Sequence, residues 1–271
     1  MEKIPTRPLI TLVSDWGLGD HYLGSVKGKL YSLIPDANIV DISHNIRPQD
    51  IIQGAFIVKN ACFRFPQKTI HIIDVDCVEN KAENNVVIEC DDQYFVTTDN
   101  GLPSEVFKDK EIQITAIEIP QDSDFFTFTA LDLFTKVAAM IAKGDPISNI
   151  GHHRTKLFEK RFQPYEASGN TIHCMVTYVD HYGNLFLNIS ADDFKRILGN
   201  RSYEIRIANE IVIEQMKQSY HDVPPFCPLL TISSTGYLQL ALRGGNASQM
   251  FRLKVLDSVI IELVLSKERN P

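Results

Sequence analysis

The chain has no long apolar run, no excess of basic charge and no paired-cysteine motif. None of its hydrophobic stretches approaches the roughly 20 residues that span a bilayer. Its opening Met-Glu-Lys-Ile-Pro-Thr-Arg-Pro lacks the apolar heart of a secretory signal. The expectation is a cytoplasmic protein. Lys and Arg total 27 against 34 Asp and Glu, a formal net charge of −7. That balance argues against an electrostatic grip on nucleic acid or anionic membrane, both of which need clustered cations. The expected partner is a small molecule, with no nucleic acid and no membrane. Cys62, Cys77, Cys90, Cys174 and Cys227 are odd in number and widely spread, without a CxxC pair or zinc spacing. They read as small buried hydrophobes, with Cys77 the one exception. A glycine-rich phosphate loop, a fixed-period repeat and a low-complexity tract are all missing.

What is present is an ordinary globular composition. The 271 residues are 44% hydrophobic and 23% charged, enough for one large or two modest domains. Residues 9–14 are β-rich, 22–34 carry apolar side chains at helical spacing, and 38–42 are β-rich again, a βαβ opening. Helical spacing returns over 50–63, a short buried strand is expected over 69–75, and a hairpin over 85–97 turns through Asp91-Asp92. An amphipathic helix over 132–142 stops at Gly144-Asp145-Pro146. Residues 151–168 are polar and aperiodic, so a boundary falls there: an N-terminal α/β domain over 1–155, a linker over 156–168 and a second domain over 169–271. Beyond the linker short strands alternate with turns, which suggests a mostly antiparallel barrel or sandwich.

The most telling stretch is Leu12-Val13-Ser14-Asp15-Trp16-Gly17-Leu18-Gly19-Asp20, where an apolar strand breaks into aspartates and glycines. A strand end of this kind is where an open α/β sheet holds a polar ligand. Five further strings follow it: Val40-Asp41-Ile42-Ser43-His44, Gly54-Ala55-Phe56, Asp99-Asn100-Gly101-Leu102, Asp180-His181-Tyr182-Gly183-Asn184 and Ser234-Thr235-Gly236-Tyr237-Leu238. In that order, across nearly the whole chain, they resemble the S-adenosylmethionine (SAM) hydroxide adenosyltransferases, or SAM hydrolases, and their halogenating relatives such as the fluorinase. The resemblance implies a Rossmann-like N-terminal domain, a C-terminal β-barrel, and a homotrimer with SAM sites between subunits. It also implies attack on the ribose C5′ that displaces methionine, with SAM as substrate or ligand and no other cofactor.

Carried over residue by residue, Asp15 resembles the carboxylate that accepts both ribose hydroxyls, against a plain reading as a turn cap. Asp20 and Asp180 match positions near the methionine ammonium, or are solvated loop charges. Tyr182 and Asn184 resemble the residues that stack on and hydrogen-bond the adenine, although Tyr-Gly-Asn is also a good turn. Ser234 matches a contact to the methionine carboxylate, and Asn246 with Ala247 a backbone stretch at the adenine edge. Of the catalytic set Asp76 remains. Glu83 or Asn84 stands at the family arginine position and Thr129 at the histidine position. Water activation then rests on Asp76, which implies slow hydrolysis of SAM to adenosine and methionine; the alternative is an inactive SAM- or adenosine-binding sensor or sequestering protein. Glu79 and Ala130 stand where halogenases cradle their anion, and an acidic side chain there is repulsive. Gln49 replaces an aromatic lid.

Three other features have simpler readings. His44 is expected to be structural, and His152-His153 a solvated pair without an acidic partner at ligand spacing. Asp15, Asp74, Asp76 and Asp99 at strand ends would also suit a divalent cation, the rival enzyme class. Cys77 is expected to be inert, because the acidic Glu79 and Glu83 nearby raise a thiol pKa.

Overall fold

A computed structural model describes residues 7–77, 84–121, 127–160, 162–207 and 211–264. Two compact units divide the chain, Met1–Arg161 and Phe162–Pro271. The first runs β1 (Leu9–Ser14), α1 (Tyr22–Leu33), β2 (Asn38–Ser43), α2 (Ile51–Ala61), β3 (Ile70–Asp74), β4 (Asn85–Cys90), β5 (Gln93–Thr98), α3 (Leu102–Val106), β6 (Gln113–Ile117), α4 (Thr135–Lys143) and β7 (Gly151–Arg154). The sheet order is β2-β1-β3-β5-β4-β6-β7. β2, β1, β3 and β5 are parallel, and β4, β6 and β7 extend them antiparallel.

β3 is buried along its length and β1 nearly so, because helices cover both faces of this parallel core. Ile10, Leu12, Ile70 and Ile72 pack with Val26 and Leu30 of α1 and Val137 and Ala138 of α4. The alternate residues face α2 and α3. There Gly54 sits so close to Val75 and Leu102 that an added Cβ would lie 2.9 Å from Leu102 Cδ1, and His71 stacks on Phe95 at 4.6 Å. From β1 the chain runs to β2 on one side, then crosses back to β3 on the other. The order of the strands therefore reverses between β1 and β3, and a crevice opens at their carboxyl ends.

The second unit comprises β8 (Glu166–Ser168), β9 (Thr171–Val179), β10 (Leu185–Ser190), α5 (Ala191–Leu198), β11 (Ser202–Ile207), β12 (Ile211–Ile213), β13 (Pro228–Ile232), β14 (Tyr237–Leu242), α6 (Ala247–Phe251) and β15 (Ser258–Val264). Its strands pair in the order β12-β11-β15-β9-β10-β14-β13, with β8 on β9, and every pair is antiparallel. Strict in-out alternation along β15 gives the sheet one wet face and one core face. The Lys217 N–H donates to the Leu230 carbonyl at 2.8 Å, so the chain after β12 meets β13 and the sheet nearly closes into a barrel. Ile172, Val176, Leu187, Ile205, Leu240 and Ile261 fill it, with Phe194 of α5 against them.

The structure corrects the sequence reading at four places. The polar Gly151-His152-His153-Arg154, aperiodic in the sequence, is a strand on β6; at a sheet edge its side chains stay exposed and show no apolar alternation. The helix expected over 132–142 begins as a π-helical turn over Ala130–Phe134 and becomes α-helical only from Thr135. Two helices, α5 and α6, interrupt the expected run of strands. Ser190 caps α5 by accepting from the Asp193 N–H at 3.0 Å, and Asn246 caps α6 by accepting from the Gln249 N–H at 2.8 Å. Lastly, His152 does have an acidic partner, Glu118 at 2.9 Å. Among the described residues no helix is long and apolar enough to cross a membrane.

Candidate functional site

In the first unit the turn after β1 occupies the crevice. Ser14 Oγ bonds His44 Nδ1 at 2.6 Å, and the Gly17 N–H donates to the His44 carbonyl at 2.8 Å, which pins the turn to the end of β2. His44 is buried and stacked under Trp16 at 5.7 Å. Burial outweighs the nearby Asp41 carboxylate and holds the imidazole below its ordinary range, so His44 serves as a neutral strut.

Asp15 is thereby held at the β1–β3 switch point. Its Oδ2 accepts the Gln49 N–H at 2.8 Å and the Asp76 N–H at 3.2 Å. The other oxygen, Oδ1, has no partner among the described residues. Gln49 and Asp76 both take left-handed backbone conformations, with φ of 64° and 52°. Aspartate tolerates that region far better than glutamine, so the strain falls on Gln49. Asn100 fixes the Asp76 backbone: its Nδ2 donates to the Val75 carbonyl at 2.8 Å and the Asp76 carbonyl at 3.2 Å. Asp15 and Asp76 are thus brought together from the ends of two adjacent strands. Asp20 lies exposed in the loop before α1, and no described contact ties it to the pair.

An aromatic wall flanks the carboxylates. Trp16 Nε1 donates to Asp74 Oδ2 at 2.8 Å. Phe128 meets Trp16 edge-on at 5.2 Å and Tyr22 at 4.9 Å. Thr129 follows Phe128 directly and starts the π-helical turn without a side-chain cap. Glu79 and Glu83 lie outside the described residues. Asn84 adjoins β4, and its carbonyl accepts the Asp99 N–H at 2.6 Å.

Burial sets the electrostatics of this cluster. It lifts Asp74 to about 6, against which the Cys77 and Trp16 hydrogen bonds act and to which Asp15 adds. It also raises Asp76 above the ordinary carboxylate range; Lys160 opposes this and Asp15 adds to it. The half-buried Cys77 thiol is pushed well up by burial and by Asp74, which makes it a poor nucleophile. Two of the four strand-end carboxylates are engaged by other groups. Asp99 is taken by Arg154 at 2.8 Å and by the Phe158 N–H, and Asp74 by Trp16. Among the described residues no three His, Cys, Asp or Glu side chains are grouped to hold a metal ion.

Opposed titrations follow from the same burial. His71, within the aromatic packing beside Phe95, is lowered to about 4 by burial. Its contribution is full above 6.5 and is lost as pH falls toward 4, a loss of about 3 kcal/mol. Asp74 is raised, so its contribution is full below 3.8 and is lost, by a similar amount, as pH rises through about 6. Between pH 4 and 6 the two nearly cancel. Asp74→Asn is expected to uncover the His71 slope, so that the urea midpoint of the variant drops more steeply from pH 6 to 4 than that of the wild-type protein. Parallel curves for the two proteins would contradict this balance.

In the second unit the β9–β10 turn is organised by Asp180. Its Oδ1 accepts the Tyr182 N–H at 3.0 Å and the Asn184 N–H at 2.8 Å, and its Oδ2 accepts Asn184 Nδ2 at 2.9 Å. Three donors thus engage the carboxylate within its own turn. Gly183, at φ 84°, packs so tightly that an added Cβ would lie 2.2 Å from the Asn246 side chain. The Ser248 N–H donates to the Gly183 carbonyl at 2.8 Å. That contact joins Asp180, Tyr182, Asn184, Asn246 and Ala247 in one place.

Beside this turn lies a cleft of about 420 Å³ lined by Tyr182, Asn184, Tyr220, Leu242, Gly244 and Gly245. Tyr182 is 75% exposed, a flat apolar face open to a ligand, while Asn184 is buried and its side chain is held through Nδ2. Two tyrosines, one amide and glycine backbone suit a planar heterocycle that needs stacking and a few hydrogen bonds. Ser234 lies exposed in the β13–β14 turn, between Ser233 and Thr235, which bond each other at 2.7 Å. Sequence reasoning missed Trp16, Asn100 and Tyr220. Tyr220 carries no local signal, since only the folding of the β12–β13 connection brings it to the cleft.

Residues 10–151 match the SAM hydroxide adenosyltransferase N-terminal domain, and residues 174–260 the corresponding C-terminal domain. The (R)-S-adenosyl-L-methionine hydrolase of Methanocaldococcus jannaschii is 28% identical over 93% of this chain and 95% of its own. The enzyme of the same name from Salinispora arenicola is 26% identical over 93% and 97%. The fluorinase of Nocardia brasiliensis is 23% identical over 95% and 97%. Among solved structures, an uncharacterized conserved protein from Thermotoga maritima superposes with a TM-score of 0.85 at 27% identity, covering 93% of this chain and 99% of that one.

Proposed function

Because the chain belongs to the SAM hydroxide adenosyltransferase family, we propose that it hydrolyses S-adenosylmethionine to adenosine and methionine by attack of water on the ribose C5′. The observation that carries this reading is the pairing of Asp15 and Asp76 at the switch point, joined by the 3.2 Å bond from the Asp76 N–H to Asp15 Oδ2. Asp15 offers Oδ1 to the ribose diol, and Asp76 orients the water. The water oxygen forms a bond to C5′, the C5′–S bond breaks, and its electron pair goes to sulfur, which leaves as a neutral thioether. The water proton passes to Asp76 or to solvent. The step balances without oxidant, reductant or metal.

An acidic surround suits this substrate, because a sulfonium is cationic and the carboxylates of the crevice attract it. The Tyr182–Asn184 cleft supports a nucleobase, with Asn246 and Ala247 at its edge; Asp20, Asp180 and Ser234 are proposed for the methionine portion. The full reading is a Rossmann-like N-terminal domain, a homotrimer with sites between subunits, and a cytoplasmic location. The free state of Cys62, Cys77, Cys90, Cys174 and Cys227 accords with a reducing compartment. Incubation with SAM across about pH 6 to 9, followed by separation of the products, tests the proposal over the range of a shifted carboxylate. Adenosine and methionine in equal amounts, above the buffer rate, are expected. SAM that binds in a calorimeter but stays intact would instead assign a sequestering role.

A further inference from the structure

The turn after β5 uses three consecutive residues for three purposes. Asp99 anchors the chain beyond β7: its carboxylate accepts the Phe158 N–H at 2.9 and 3.0 Å and pairs with Arg154 at 2.8 Å. Asn100 grips Asp76 through its carbonyl. Gly101, at φ 99°, seats the stem of Lys160: an added Cβ there would lie 2.5 Å from Lys160 Cβ and 3.1 Å from Cδ. The Lys160 N–H reaches Ser104 Oγ at 3.5 Å. Lys160 and Asp76 are thereby held on one turn although 84 positions separate them in sequence.

We propose that Lys160 is a positioning residue for Asp76, supplying the positive charge that keeps this carboxylate ionised and able to orient the attacking water. Burial and the Asp15 carboxylate both favour the protonated acid, and among the described residues Lys160 is the cation acting against them. Among the described residues the other groups that touch Asp76 are Asp15, whose Oδ2 accepts its N–H, and the neutral Asn100 amide before α3, while the buried Asp74 lies two positions earlier. The side chain of Lys160 is exposed and packs its apolar stem on glycine, so it can be replaced without opening the core.

This inference rests on Asp76 as the water-orienting group, and its test separates the two claims. Asp76 is followed by carboxyl-carbon NMR in the full-length protein, assigned by difference with Asp76→Asn, in parallel with the pH profile of SAM hydrolysis. Lys160→Met is expected to raise the Asp76 titration midpoint by about one pH unit, and to move the acidic limb of kcat/KM upward by the same amount. Lys160→Arg is expected to return both toward wild type. An unchanged midpoint in Lys160→Met overturns the proposal. A shifted midpoint with an unshifted acidic limb overturns the positioning role. If the wild-type protein hydrolyses no SAM, the proposed function falls, while the titration still decides whether Lys160 sets the charge of Asp76.

Discussion

Asp76→Asn lowers kcat for SAM hydrolysis by on the order of 10² to 10⁴, the range for loss of a positioned base or orienting group. Water is a poor nucleophile at neutral pH. An amide can hold it in place but cannot draw away its proton. The substitution should spare the fold, because asparagine tolerates the left-handed conformation that Asp76 adopts, and the bond to Asp15 Oδ2 uses only the backbone N–H of residue 76. SAM affinity measured by calorimetry should therefore stay within a few fold while turnover collapses. A variant that retains most of its kcat would remove Asp76 from the chemistry.

The second large effect falls on binding. Asp15→Ala removes the acceptor proposed for the ribose diol and also leaves the Gln49 and Asp76 N–H groups without their oxygen. Hydrogen bonds to a charged group contribute about 1.5 to 3 kcal/mol each, so Kd for SAM is expected to rise by roughly 10²-fold or more. Asp15→Asn keeps one carbonyl oxygen for the two backbone donors and loses the charge-assisted bonds to the ligand. It should fall between Ala and wild type in affinity while matching wild type in thermal stability. Equal stability loss in the two variants would mean that Asp15 acts only as a turn cap.

The β1 turn was legible in sequence because its signal is local: an apolar strand breaks into Asp-Trp-Gly, and the next strand and helix follow at once. The hairpin over residues 85–97 was legible for the same reason, with Asp91 and Asp92 taking the left-handed turn positions. What escaped lies between segments. Lys160 meets Gly101 only through the fold of the β5–α3 turn, and Tyr220 reaches its cleft only through the β12–β13 connection. β7 escaped because an edge strand of histidines and arginine has no hydrophobic period to read. α5 carried a cap signature in Ser190-Ala191-Asp192-Asp193, yet eight residues between strands make a weak period.

The switch-point pair also explains why this site can be both strained and stable. Ser14, Trp16 and Gly17 are each tied to His44 or Asp74, so Gln49 and Asp76 can hold left-handed conformations without loosening the turn. Water attacking the ribose C5′ of SAM between these residues leaves an isotopic signature. Turnover in oxygen-18 water, with mass analysis of both products, tests it most directly. One heavy oxygen in the adenosine and none in the methionine are expected. Unlabelled adenosine, or cleavage that leaves the C5′–S bond intact, would contradict it.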